Sequence, residues 1–127
     1  MALSDRSVSP GAERAVVVLV TAPVEEAGSL ADALLERQLI ACANLVGPVE
    51  SRYRWEGKLQ SEQETLLILK TEARLFEALR AAVVDLHSYD VPEVLALGVE
   101  DGHGAYLDWI SRCCGPDRTR SGPQVDR

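Results

Sequence analysis

The stretch AVVVLVTAP, residues 15–23, decides the fold. Its first six residues, Ala15–Val20, form a β-branched apolar run that reads as a buried strand. Side chains alternate along a strand, so Val16, Val18 and Val20 point to one face while Val17 and Leu19 point to the other. Both faces are apolar, which suits a strand in the middle of a sheet. Pro23 suits the first position of a helix, and Glu25 and Glu26 favour its positive end. The helix is expected to run to about Gln38. Ala27, Leu30, Ala31, Leu34 and Leu35 make its apolar stripe, and Glu25, Ser29, Asp32 and Glu36 its wet face.

Working outward, LIACANLVGPVESRYRWEGKL (residues 39–59) reads as a long second strand, broken near Gly47–Pro48 by a bend or bulge. A proline inside a strand marks an edge position. WEGK, Trp55–Lys58, is the turn into a third strand, ETLLILKT, Glu64–Thr71. Thr71 is placed to cap a second helix with the stripe Leu75, Phe76, Leu79, Ala82, Val83 and Leu86. EVLALGV, Glu93–Val99, gives a fourth strand, and Tyr106, Trp109, Ile110 and Cys113 share one face of a last short helix. The order βαββαβ plus a terminal helix predicts an α+β, ferredoxin-like sandwich with the first and third strands central. LLIL, Leu66–Leu69, is again apolar on both faces, yet two helices cover only one. An apolar sheet face left open calls for a second copy of the chain, so a homo-oligomer is expected.

The 127 residues suit one domain, with 46% hydrophobic and 26% charged residues. Residues 1–14 and 115–127, rich in Ser, Pro, Gly and charge, are expected to be disordered tails around a domain at 15–114. The net charge of −7 disfavours nucleic acid and anionic membranes as partners. The third strand also lacks the base-stacking aromatics of an RNA-recognition sheet. No apolar run is long enough for a membrane helix or shaped like a secretory signal. Cys42, Cys113 and Cys114 make an odd count with two adjacent, which suggests free thiols and a cytoplasmic location. Cys42 reads as a buried structural thiol, and His103, in DGHGAY, as a solvated loop residue. No GxSxG, HExxH, Walker or GxGxxG pattern is present, and no enzyme is predicted.

Side-chain chemistry concentrates in two places. One is SRYRWEGK, with Tyr53, Trp55, Glu56 and Lys58; the other is HSYDVPE, residues 87–93. His87 and Glu93 are competent ligands for a borderline divalent cation such as copper or zinc. A histidine at a helix end also serves as a cap or packing residue, and one His with one Glu is too small a set for a tight site. Further ligands would have to come from another subunit or from water.

VVVLVTAP, LLERQLIACANLVGPVESRYRWEGKLQ, ETLLILKT, LHSYDVPEVLAL and YLDWI together resemble the CutA family of divalent-cation tolerance proteins, over about residues 15–112. The resemblance implies a ferredoxin-like homotrimer, cytoplasmic, linked to tolerance of copper and other divalent metals, with no tightly bound cofactor needed for folding. It implies clefts between subunits as in the PII signalling proteins, and His87 and Glu93 as metal ligands; copper(II) is the metal expected, since it stands highest in the affinity order for nitrogen and oxygen sites. Tyr53, Trp55, Lys70 and Tyr89 would line the cleft. The alternative reading is a PII-like signalling module that takes a small metabolite there. Some family members carry a cysteine just before TAP, where this chain has Val20.

Overall fold

The structure is a computed structural model and describes residues 14–115. The expectations for the two tails lie outside the described residues, apart from Arg14 and Gly115. Four strands, β1 (Ala15–Pro23), β2 (Cys42–Trp55), β3 (Lys58–Glu72) and β4 (Leu95–Gly98), alternate with three α-helices. These are α1 (Val24–Glu36), α2 (Phe76–Leu86), preceded by the 3₁₀ turn Ala73–Leu75, and α3 (Gly104–Cys113). The sheet order is β2-β3-β1-β4, with every pairing antiparallel. β1 and β3 are central and the proline-bearing β2 lies at an edge. This is the ferredoxin-like α+β arrangement read from the sequence.

Burial along β1 alternates residue by residue: Val16, Val18, Val20 and Ala22 are buried and the residues between them are half-buried. Leu67 and Leu69 of β3 join the same layer, against Ala27, Leu30, Ala31 and Leu34 of α1 and Leu79, Ala82 and Val83 of α2. Leu35 and Leu86, both assigned to apolar stripes, sit at the flanks and stay exposed. A smaller cluster of Leu75, Ile110 and Cys114 anchors α3, where Tyr106 and Trp109 stack with ring centroids 5.6 Å apart.

Several local readings need correction. α1 stops at Glu36, two residues short of Gln38, because Gln38 takes a left-handed backbone (φ 59°) and the chain closes in a Schellman motif. In it Gln38 N donates to Leu35 O at 3.0 Å and Leu39 N to Leu34 O at 3.1 Å. Pro23 is the cap of α1, and the helix proper begins at Val24. Thr71 caps no helix: it lies within β3, and its buried hydroxyl donates to Leu39 O at 2.7 Å. The third strand begins at Lys58, not Glu64, because Glu56 and Gly57 (φ 51° and 79°) form a tight hairpin turn that continues the ladder from Trp55↔Lys58. The fourth strand is four residues long, shorter than Glu93–Val99. Cys42 is half-buried on the open sheet face, and Cys114 is the cysteine in the core.

The bulge expected near Gly47–Pro48 is present as a register shift between Val46 and Val49, with a cis Gly47–Pro48 bond. Cross-strand registers define the uncovered face. Leu97, Val17, Lys70 and Cys42 form one row, Leu95, Leu19, Ile68 and Asn44 the next, and Thr21, Leu66 and Val46 the third. Leu95 and Leu97 are 55% and 54% exposed there.

Candidate functional site

At one end of this open face, the β2–β3 hairpin and the loop after α2 enclose a cleft of about 530 Å³. The hairpin overhangs because its strands run past the end of β1, which pairs no further than Pro23↔Glu64. It contributes Ser51, Arg52, Tyr53, Trp55, Glu62 and Glu64; the loop contributes Tyr89, Asp90, Val91 and Glu93, and β1 adds Thr21. Four carboxylates and three aromatic rings therefore meet around one concavity. Arg52, the basic residue of the lining, reaches Glu50 at 3.6 Å.

The carboxylates are held by tyrosines. Tyr53 OH donates to Glu62 Oε1 at 2.9 Å, and Tyr89 OH to Glu64 Oε2 at 2.8 Å, with Glu62 Oε1 a further 3.4 Å contact. Glu64 is only 5% exposed, so its tyrosine donor compensates part of its lost hydration. Glu93 is exposed as a residue, but the desolvation of its carboxyl against the cleft wall raises it above its ordinary value, and the charge on Glu64 adds to it. Burial raises Tyr89 strongly, assisted by its bond to Glu64 and by the charges of Glu64 and Glu62. Tyr53 is also raised, with the Glu62 hydrogen bond as the first cause. Burial leads at Glu93 and Tyr89 and the Glu62 hydrogen bond at Tyr53, and the neighbouring carboxylate charges of Glu62 and Glu64 add to these shifts.

Of the residues expected in the site, Tyr53, Trp55, Tyr89 and Glu93 line the cleft. His87 sits behind it, 8% exposed, at the end of α2. Its Nε2 donates to Thr21 O at 2.8 Å, and its Nδ1 accepts the Tyr89 amide at 3.0 Å. Both ring nitrogens are thus engaged, and the ring offers no lone pair to the cleft in this geometry. Lys70 is not part of the lining. It stands six residues farther along β3, beside Val17 and Cys42, with its ammonium on Asn44 Oδ1. Val20 is fully buried on the helix-covered face, so the sheet separates that position from the cleft. His103 is exposed at the start of α3. Sequence reading missed Glu62 and Glu64. Their period-two spacing with Leu66 and Ile68 was the available signal, placing all four on one face of β3.

Among the described residues, no group of three or more His, Cys, Asp and Glu side chains is arranged to hold a metal ion. The cleft's carboxylates are oxygen donors of the kind a divalent cation accepts, and further ligands would have to come from water or a neighbouring subunit.

The family model for "CutA1 divalent ion tolerance protein" matches residues 16–113. The chain is 49% identical over 96 residues to "Protein CutA, chloroplastic" of Arabidopsis thaliana, covering 75% of this chain and 53% of that protein. It is 46% identical over 95 residues to the divalent-cation tolerance protein CutA of Thermus thermophilus, covering 74% of this chain and 92% of that one. The chain spans about half the length of the plant relatives it matches, at 53% and 54%. The crystal structure of CutA1 from Oryza sativa superposes with a TM-score of 0.78 at 44% identity, covering 82% of this chain and 96% of that chain. The structure of the Thermus thermophilus protein gives 0.77 at 44%, over 80% and 99%. With matching sequence over the whole described core and matching architecture, the chain belongs to the CutA1 divalent ion tolerance protein family.

Proposed function

We propose that this chain acts without catalysis as a divalent-cation-binding protein, assembled as a homotrimer through its open sheet face and serving tolerance of or response to metal ions. The observation that carries the reading is the cleft in which Glu62, Glu64, Asp90 and Glu93 gather around one concavity. A divalent cation there would neutralise charge that the fold has concentrated. Copper(II) is the cation of choice, because it stands highest in the affinity order for nitrogen and oxygen donors. Glu93 is the ligand we favour, since it lines the cleft from the loop after α2 and is exposed to an incoming cation. His87, the other ligand expected from the family resemblance, would have to give up the Tyr89 amide to bind. The relatives' printed names speak of divalent-cation tolerance and support the same class. The odd count of three cysteines, two of them adjacent, suits a reducing compartment such as the cytoplasm. No described helix is long and apolar enough to cross a membrane.

Calorimetric titration with copper(II) tests the reading on wild type and Glu93→Gln. Heat from a saturable site, weakened about tenfold or more in the variant, supports it. Equal affinities would remove Glu93 from the site.

One observation favours a second reading, a PII-like module that senses a small metabolite. A cleft of about 530 Å³ with Tyr53, Trp55 and Tyr89 on its walls has the size and lining of a small-molecule site. A thermal-shift screen of metabolites with and without chelator separates the two. Stabilisation that survives the chelator supports the metabolite.

A further inference from the structure

We propose that His87 is a positioning residue, which fixes Tyr89 against Glu64 and does not itself ligate the cation. The proposal rests on the cation reading of the cleft for what the carboxylates bind, and on the imidazole's own partners for the rest.

An imidazole ligates through an in-plane nitrogen lone pair, and a neutral ring has one such pair. Thr21 O can only accept, so Nε2, 2.8 Å away, carries the proton. The Tyr89 amide can only donate, so the Nδ1 lone pair, 3.0 Å away, is already used. Ligation at Nδ1 would displace that amide, and ligation at Nε2 would strip the bond to Thr21 O. The ring is 8% exposed and lies 4.7 Å from the Tyr89 ring, centroid to centroid, which limits room for a cation beside it.

The same contacts form a relay. β1 holds His87 through Thr21, His87 holds the backbone of Tyr89, and the Tyr89 hydroxyl donates to Glu64 at 2.8 Å. The first two bonds run from the Tyr89 amide through His87 to Thr21 O, and the third runs from the Tyr89 hydroxyl to Glu64, the most buried carboxylate of the cleft. Carboxylates that ligate metals are oriented in this way by outer hydrogen bonds. His87 acts on the site through two intervening groups, Tyr89 and Glu64.

The test is long-range ¹H–¹⁵N NMR of the imidazoles in the full chain, with zinc ion as the diamagnetic probe. A His103→Gln background removes the exposed imidazole from the spectrum. His87 should show the Nε2–H tautomer before and after zinc. Zinc should shift the backbone amides of Glu62, Glu64 and Glu93 and leave both His87 nitrogens in place. A His87 nitrogen that moves to a metal-bound shift in step with those amides overturns the proposal. Rescue provides the second readout. His87→Ala should weaken zinc binding about tenfold, and His87→Asn should recover part of it, because an asparagine at this position can accept the amide two residues on. Equal loss in both variants overturns the relay. If zinc moves no cleft amide, the cation reading fails by itself. The relay is then decided in the metal-free protein, where an Nδ1–H tautomer, or equal exchange of the Tyr89 amide in wild type and His87→Ala, contradicts it.

Discussion

The two faces of the sheet come from the same strands and have nearly the same composition, yet they end in opposite states. On one, Val18, Val20, Leu67 and Leu69 lose all contact with water beneath α1 and α2. On the other, Val17, Leu19, Leu66 and Ile68 remain half-buried, and Leu95 and Leu97 are more than half exposed. Local sequence makes a strand apolar on both sides, but only the helices that follow decide which side is covered within the chain. The uncovered side also carries the cleft. Its acidic end and its apolar middle lie on one continuous surface, so burial of the middle by another subunit would bring new groups to the rim of the cleft.

Substitutions can break this comparison. The largest effect is expected on the covered face. Leu69→Ala, at a fully buried position, should cost about 2–5 kcal/mol in denaturant unfolding. A cost below about 1 kcal/mol would mean that the two faces do not differ as described. On the open face, Ile68→Glu should act on assembly first, reducing the particle to a single chain of 13.8 kDa by light scattering. An unchanged assembly would show that this face is not the contact. Tyr89→Phe should cost about 1–3 kcal/mol, because it leaves the buried Glu64 carboxylate without its donor.

A smaller effect, of opposite sign, is expected at the hairpin turn. Glu56 holds a left-handed backbone (φ 51°), which asparagine tolerates better, so Glu56→Asn should stabilise by about 0.5–1 kcal/mol. A loss of stability would point to a role for the Glu56 side chain itself. Glu93 gives a pH-dependent outcome. Its folded carboxyl holds its proton to a higher pH than the unfolded one, so the folded state binds more protons between the two values. Stability therefore falls as pH rises through that window, and above it the ionised, partly desolvated carboxylate is a cost. Glu93→Gln should raise the metal-free melting temperature at neutral pH and leave it unchanged below the normal carboxylate range. The same shift at both pH values would contradict the assigned cause.

The frame of the molecule was legible because it rests on local patterns. The unbroken apolar runs Ala15–Val20 and Leu66–Leu69 marked the central strands, and Pro48 marked the edge. What escaped reading depends on partners remote in sequence. KLQSEQ, residues 58–63, has little apolar alternation and is a strand because β2 pairs with it. Thr71 looked like a cap, yet its hydroxyl is satisfied by Leu39, 32 residues away. Part of the cleft's lining was visible, since Tyr53, Trp55, Tyr89 and Glu93 stand on its wall. Glu62 and Glu64 were hidden in a run of polar residues. The bond that occupies His87 reaches a carbonyl 66 residues away, which no local motif announces.

The contrast between covered and open faces is tested most directly by the mass of the particle in solution. Sedimentation equilibrium of the full chain at micromolar concentration should give three times the 13.8 kDa chain mass. A single-chain mass under the same conditions would contradict the account, leaving Leu95, Leu97 and their neighbours exposed to water with nothing to cover them.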